Sequence, residues 1–272
     1  MGRGWEIQNR THFDEIVANY DKTRPEYPAA LFSDIFSYAH TSNSKKALEI
    51  GAGTGKATQS FLSAGYDVTA VEIGTNMAEF LQKRFEQYPN FKVINDSFEK
   101  AVLENETYDV IYAASAFHWV DASIGCPKAL NLLKNEGTLA LLRYNAVPAD
   151  GESLYEEIQA VYEKYFHKPY TRPTPKTKEE YINTSEIFRG FRCKELAEYG
   201  FVDVTMNYYD VTRSFGADDY ISLLDTMADH RSLAEGDKAA LYAGIQQSIL
   251  SHGGEISVDY IFQLYMGRKR EV

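Results

Sequence analysis

Leu48-Glu49-Ile50-Gly51-Ala52-Gly53-Thr54-Gly55-Lys56 is the stretch that decides how this chain is read. Lys46 to Ile50 is a short run ending at a glycine cluster, and Lys56 to Ala64 then has the pattern of a helix stopped by Gly65. Glycines between a strand and a helix let the backbone turn tightly and approach a ligand closely. A phosphate loop would end in Gly-Lys-Ser/Thr, but Ala57 follows Lys56. A dinucleotide loop needs GxGxxG, and Gly55 comes one place too early for it. Such loops also have an apolar strand end, where this one has Glu49. A glycine turn holding no ligand is the plain alternative.

A carboxylate two residues before the first glycine suits a cationic ligand. S-adenosylmethionine carries a sulfonium and an ammonium and no phosphate, and Glu49 could meet its methionine portion directly or through water. Glu72 lies 21 positions beyond Gly51, at the end of the β-branched run Val68 to Ile73. A carboxylate there can accept both hydroxyls of a ribose, because the two strand ends are neighbours. Ribose recognition fits either nucleotide reading; the glycine spacing and Glu49 separate them.

Further out, Thr75 to Tyr88 has helical periodicity and stops before Pro89. Phe91 to Ile94, Tyr108 to Ala114 and Gly137 to Tyr144 read as strands, and Ile124 to Leu133 as a helix. Strands alternating with helices in this way imply βαβ units and a parallel sheet. Beyond Ala146 the composition shifts. Glu152 to Phe166 reads as a helix, and Pro169, Pro173 and Pro175 break up His167 to Lys178. Ser185 to Tyr199, Asp218 to Met227 and Glu235 to Ser251 read as helices. Phe201 to Val211 and Ile256 to Met266 read as strands, the last followed by a basic tail, Gly267 to Arg270. The chain is accordingly divided into a cofactor-binding part (1–145), a mostly helical insertion or lid (146–189) and the remainder of the same sheet domain (190–272).

Glu49 to Gly55, followed by Val71-Glu72-Ile73 and Met77, resembles the cofactor motif of class I S-adenosylmethionine-dependent methyltransferases. Two further segments are similar to the small-molecule group near trans-aconitate methyltransferase, within the type 11 methyltransferases. One is Phe13-Asp14 through Tyr20-Asp21-Lys22-Thr23-Arg24-Pro25-Glu26-Tyr27-Pro28; the other is Ser115-Ala116-Phe117-His118-Trp119-Val120-Asp121. The likeness runs well from Phe13 to Tyr144 and weakly from Arg189 to Ser251. It implies an α/β fold with a Rossmann-like, seven-stranded, mostly parallel sheet whose last strand is antiparallel, helices on both faces and a helical insertion. It also implies S-adenosyl-L-methionine as cofactor. Gly51, Ala52, Gly53, Thr54 and Gly55 would pass under its methionine part, Glu72 would hold the ribose, and Ile73 and Met77 would pack on the adenine. Asp96, Ser97 and Phe98 would meet the adenine, with Asp96 accepting from its exocyclic amine. Tyr20 and Arg24 would close over the methionine end, and Ala114 and Phe117 complete the cofactor-lining set. Arg24 as a surface residue and Asp96 as a loop or cap residue are the plainer readings of those two positions.

Composition narrows the partners. The 272 residues hold 28 Lys+Arg against 39 Asp+Glu, a net charge of −11, which argues against nucleic acid or an anionic membrane as the main partner. Aromatics make up 14%, too many for a disordered chain. Cys126 and Cys193 have neither zinc nor disulfide-framework spacing, the histidines show no metal spacing, and no run of about 18 apolar residues exists to cross a membrane. A cytoplasmic enzyme with a small-molecule methyl acceptor and no metal is the expectation. A nicotinamide-dependent oxidoreductase and a non-catalytic S-adenosylmethionine-binding protein are the rivals.

Methyl transfer is an in-line displacement that needs alignment and water exclusion, and a general base only if the acceptor must lose a proton. A carboxylate acceptor needs none. His118 is the candidate base, because it follows the fourth strand where open α/β sheets bind ligands. The favoured reading makes His118 and Trp119 a lining pair that shields the sulfonium. Tyr155, Tyr162, Tyr165, Phe166 and Tyr170 fit either an acceptor lid or a helix core face. Lys168, Arg172, Lys176 and Lys178 form a basic cluster that could receive an acidic acceptor or sit on a solvated loop.

Overall fold

The computed structural model describes residues 16–41, 45–147, 153–166, 170–171, 173, 177, 179–180 and 193–271, and every structural statement concerns these residues. The glycine loop leaves β1 (Lys46–Ile50), in which Ala47 to Ile50 are all buried. A strand covered on both faces cannot alternate apolar and polar residues, which is why this run lacks the period of a half-exposed strand. β1 lies between β2 (Asp67–Glu72) and β4 (Tyr108–Ala114), parallel to both. β3 (Phe91–Asn95) continues the parallel set beside β2, and β5 (Leu133–Ala146) does so beside β4. β7 (Glu255–Lys269) runs antiparallel to both β5 and β6 (Phe201–Gly216). The sheet order is β3-β2-β1-β4-β5-β7-β6, with the last strand alone reversed. The seven-stranded Rossmann-like expectation holds.

The described helices are α1 (Val17–Thr23), α2 (Ala29–Tyr38), α3 (Thr58–Ser63), α4 (Thr75–Arg84), α5 (Ala122–Leu132), α6 (Ser153–Tyr165), α7 (Cys193–Glu198), α8 (Ala217–Leu224), α9 (Ala228–Arg231) and α10 (Glu235–Ser251). Successive strand side chains point to opposite faces, and β4 shows the result. Val110 and Tyr112 join Leu31 and Ile35 of α2 and Phe61 of α3 on one side. Ile111 and Ala113 join Cys126 and Ala129 of α5 and Leu196 of α7 on the other. A third cluster ties Ile158 of α6, with Phe166 just beyond it, to Leu224 of α8 and to Leu241, Ile245 and Ile249 of α10. The helix that follows β5 therefore packs on helices lying between β6 and β7.

Several boundaries differ from the sequence pattern, those of β6 and β7 among them. β6 continues five residues past Val211 to Gly216, because each added residue finds a partner on β7. The basic tail is not a tail as far as Lys269, since Arg268 pairs with Thr138 and Lys269 with Phe201 in the ladder. The Arg268 guanidinium lies 4.3 Å from the centre of the Tyr38 ring and donates to the Tyr38 carbonyl at 2.6 Å. Of the helix expected over Ser185 to Tyr199, the described part spans Cys193–Glu198.

Candidate active site

A cavity of about 450 Å³ opens at the carboxyl ends of β1, β2, β4 and β5, within the size range of small-molecule sites. Parallel strands place it there, because the loops leaving neighbouring strand ends diverge and leave a crevice. Its floor is the glycine loop. Gly51, Gly53 and Gly55 all have positive φ (66°, 57° and 85°), a conformation that side chains oppose. Gly51 N–H donates to Val71 O at 2.8 Å, so the sheet ladder carries into the loop. Glu72 ties the loop to the next strand end: Oε2 accepts from Gly53 N–H and Oε1 from Gly74 N–H, each at 2.8 Å.

Glu49, with no exposed surface, lies on the wall beside this loop. Its Oε2 accepts from the hydroxyls of Thr58 and Tyr112, and Oε1 is buried without a protein partner. Burial pushes the carboxyl up to about 8; the two hydroxyl bonds pull the other way, and the charge of Glu72 adds to the rise. Opposite, α1 and the residues after it form a cover. The Arg24 guanidinium lies 5.0 Å from the centre of the Tyr20 ring and donates to Thr226 O at 2.6 Å, while its buried Nε has no partner. Burial also raises the Tyr20 hydroxyl to about 12 against the lowering effect of Arg24, so it stays neutral at any ordinary pH.

Of the residues singled out from the sequence, Tyr20, Arg24, Glu49, Gly51, Ala52, Gly53, Thr54, Glu72, Ile73, Met77, Asp96, Ser97, Phe98, Ala114 and His118 all lie on the cavity wall. Asp96 lies in the loop after β3 and accepts from Ser97 N–H at 2.7 Å, so its loop reading and its wall position coexist. Two residues do not line the cavity. Phe117 opens a three-residue 3-10 turn, in which consecutive side chains diverge by a third of a turn. Its neighbours Ala116, His118 and Trp119 take the wall while Phe117 is buried with Val120, Cys126 and Ala129. Gly55 packs instead against α4 and the residue after it: a Cβ there would lie 2.9 Å from Leu81 Cδ2 and 2.5 Å from the Phe85 ring.

Of the aromatics that fit either a lid or a core face, Tyr162, Tyr165, Phe166 and Tyr170 pack into the third helical cluster and Tyr155 does not. Tyr162, Phe166 and Tyr170 cluster with buried His230 beneath α6, away from the wall, and Tyr155 donates to Pro173 O. Lys168, Arg172, Lys176 and Lys178 lie outside the described residues. The wall also holds residues the sequence did not single out: Arg143, Tyr144, Asn145, Met227 and Asp229. Arg143 donates to Asn145 Oδ1 at 3.0 Å, and Asn145 Nδ2 is buried with no partner. Their spacing of two along β5 put them on one face, which was a usable signal. Asp229 gave none, because only folding brings α9 to the sheet. Among the described residues no cluster could hold a metal ion, and no helix is long and apolar enough to cross a membrane.

Residues 48–141 match a family described as a methyltransferase domain. An uncharacterized methyltransferase of Schizosaccharomyces pombe is 26% identical, over 87% of this chain and 86% of its own. A protein of Saccharomyces cerevisiae described as a probable S-adenosylmethionine-dependent methyltransferase is 24% identical, over 71% of this chain and 66% of its own. In structure, the chain is similar to one from Anaeromyxobacter dehalogenans described as a type II methyltransferase, with a TM-score of 0.62 and 20% identity over 92% of this chain and 99% of the other.

Proposed function

We propose that this chain is a class I, S-adenosylmethionine-dependent methyltransferase that methylates a small organic acid on its carboxylate. The observation that carries the reading is the cavity wall at the end of β5, where Arg143 and the unpartnered Nδ2 of Asn145 present donors from one face of the strand. Donors held on a strand suit a planar anionic acceptor. The confined volume favours a small molecule over a macromolecular segment, and the net charge of −11 disfavours nucleic acid and anionic membranes. A cytosolic setting belongs to the same reading.

The residues fit the cofactor by their own chemistry. An unpartnered carboxylate oxygen at Glu49 and an unpartnered guanidinium nitrogen at Arg24 are what an amino-acid end carrying both charges would satisfy. Gly53 leaves open space where a Cβ would sit, so the backbone itself is the contact surface there. Glu72 would take the ribose, Ile73 and Met77 would flank the base, and Asp96, Ser97 and Phe98 would close its edge. When bound, S-adenosylmethionine supplies a methyl group already activated on a sulfonium. The protein's share of the work is alignment and exclusion of water by Tyr20, Arg24 and the Trp119 side of the wall. A carboxylate acceptor arrives ionised, so His118 lines the site beside Trp119, with ring centroids 4.9 Å apart, and moves no proton.

Incubating the protein with S-adenosylmethionine labelled on its methyl group and a panel of small carboxylic acids, phenols and amines tests the reading. Base-labile methyl esters are expected, with Arg143→Ala raising the acceptor KM at least tenfold. Label found only in base-stable products of phenols or amines would overturn the carboxylate assignment.

A further inference from the structure

The two oxygens of Glu49 live in different surroundings. Oε2 takes both available hydroxyl donors, from Thr58 on α3 and, at 2.9 Å, from Tyr112 on β4. Oε1 takes none, although the residue lies on the cavity wall and has no exposure to solvent. Both donors are neutral, and among the described residues no Lys, Arg or His forms an ion pair with Glu49. The titratable groups that act on it are Glu72 from β2, a like charge, and the hydroxyls of Tyr112 and Tyr27. A carboxylate out of water with no counter-ion is unstable as an anion. As a neutral acid, its hydrogen belongs on the oxygen that accepts nothing, which is Oε1.

We propose that Thr58 and Tyr112 are positioning residues that aim Oε1 of Glu49 at the cofactor, and that the ligand-free protein holds Glu49 neutral and releases its proton when the cationic methionine end binds. This rests on the cofactor reading given above. The balance is simple: the O–H bond at Oε1 breaks, the proton passes to solvent, and the carboxylate keeps its two hydroxyl donors and gains the ligand's ammonium as counter-ion. The elevation of the carboxyl to about 8 by burial agrees, since the acid is then mostly neutral at pH 7. Thr58 and Tyr112 thus act through Glu49. They lower the cost of ionising it, and they leave one of its oxygens uncommitted.

Calorimetry of the full chain with S-adenosylhomocysteine tests this, because that ligand keeps the ammonium and lacks the sulfonium. Titrations at pH 7 in two buffers of different ionisation enthalpy count the protons. Close to one released per ligand is expected, with affinity rising up to about tenfold from pH 6 to pH 7 by linkage. Glu49→Gln should abolish the release. Tyr112→Phe keeps the ring stacked on Phe61, 3.7 Å between centroids, and should move the affinity–pH curve to higher pH. A packing role alone would leave that curve where it is, and Thr58→Val should shift it in the same direction. Binding without proton release, or release that survives Glu49→Gln, overturns the proposal while the cofactor reading stands. No binding at millimolar ligand overturns both.

Discussion

A methyl group added at Gly51 would sit 2.6 Å from Ala116 Cβ, whereas one added at Gly53 would meet nothing within 4 Å. Both residues have positive φ, so alanine at either carries about 1–2 kcal/mol of backbone strain. Gly51→Ala adds overlap with a neighbour that has no flexible end to move aside, costing roughly 1–3 kcal/mol more. Denaturant unfolding should find Gly51→Ala clearly the less stable; equal losses would mean the loop is not held against Ala116. Gly53→Ala should instead weaken S-adenosylhomocysteine binding while the protein stays folded, because its Cβ would occupy the wall. Single residues were also where sequence reading succeeded best and failed most clearly. Glu49, the glycines and Glu72 are fixed by spacing along two adjacent strands, so chain distance stands in for space. Arg143 and Asn145 show only as a two-residue alternation on β5, and Phe117 reads as a wall residue until the 3-10 turn rotates it inward.

α1 is held over the cavity from two directions. Arg84 of α4 donates to Asp21 at 2.7 Å and to Thr54 O at 3.1 Å, joining the cover to the glycine loop. Asn19 donates to Ser222 O at 3.0 Å and Arg213 to Thr23 O at 2.8 Å, joining it to the helices and strand behind. The Arg84–Asp21 pair is about a third exposed, so its loss costs at most about 1 kcal/mol of stability. Arg84→Ala should leave the melting temperature nearly unchanged and speed cofactor release several-fold in stopped-flow; unchanged release would separate α1 from cofactor retention. The helical layer makes a different demand. His230 is 4% exposed, donates from Nδ1 to Asp229 at 2.8 Å and, in the neutral ring, accepts at Nε2 from Tyr162, also at 2.8 Å. Tyr162→Phe strands that nitrogen, a cost of about 1–3 kcal/mol. Because His230 holds Asp229 at the wall, acceptor KM should rise more than kcat falls, with cofactor affinity within about twofold. A fall in stability with no KM change would confine this cluster to packing. Helical periodicity foretold α6 but not its partners, since a 3.6-residue stripe says that a face is buried and not against what.

At the scale of the whole molecule, the buried acid and the surface charge act on stability in the same direction and differ in their response to salt. Glu49 rises from 4.5 to about 8 on folding, so between those values the native state holds a proton that the unfolded chain has lost. Stability therefore falls as pH rises across that window. The hydroxyls of Tyr20, Tyr66 and Tyr220, raised by burial from 10.0 to about 12, extend the same trend above pH 10. Asp229 opposes it only in strong acid: burial raises its carboxyl, the His230 contacts more than offset that, and the stability this lends is lost as pH drops below its lowered range. Self-repulsion of a chain carrying −11 also grows with pH, but added salt screens it. The melting temperature of the ligand-free protein should thus fall from pH 6 to pH 8 in low and in high salt alike, and Glu49→Gln should flatten the high-salt curve. Saturating S-adenosylhomocysteine should flatten it as well, by supplying the counter-ion that the fold withholds from Glu49. A slope that vanishes in salt with Glu49 intact would assign the pH response to the surface and take the buried carboxyl out of the account.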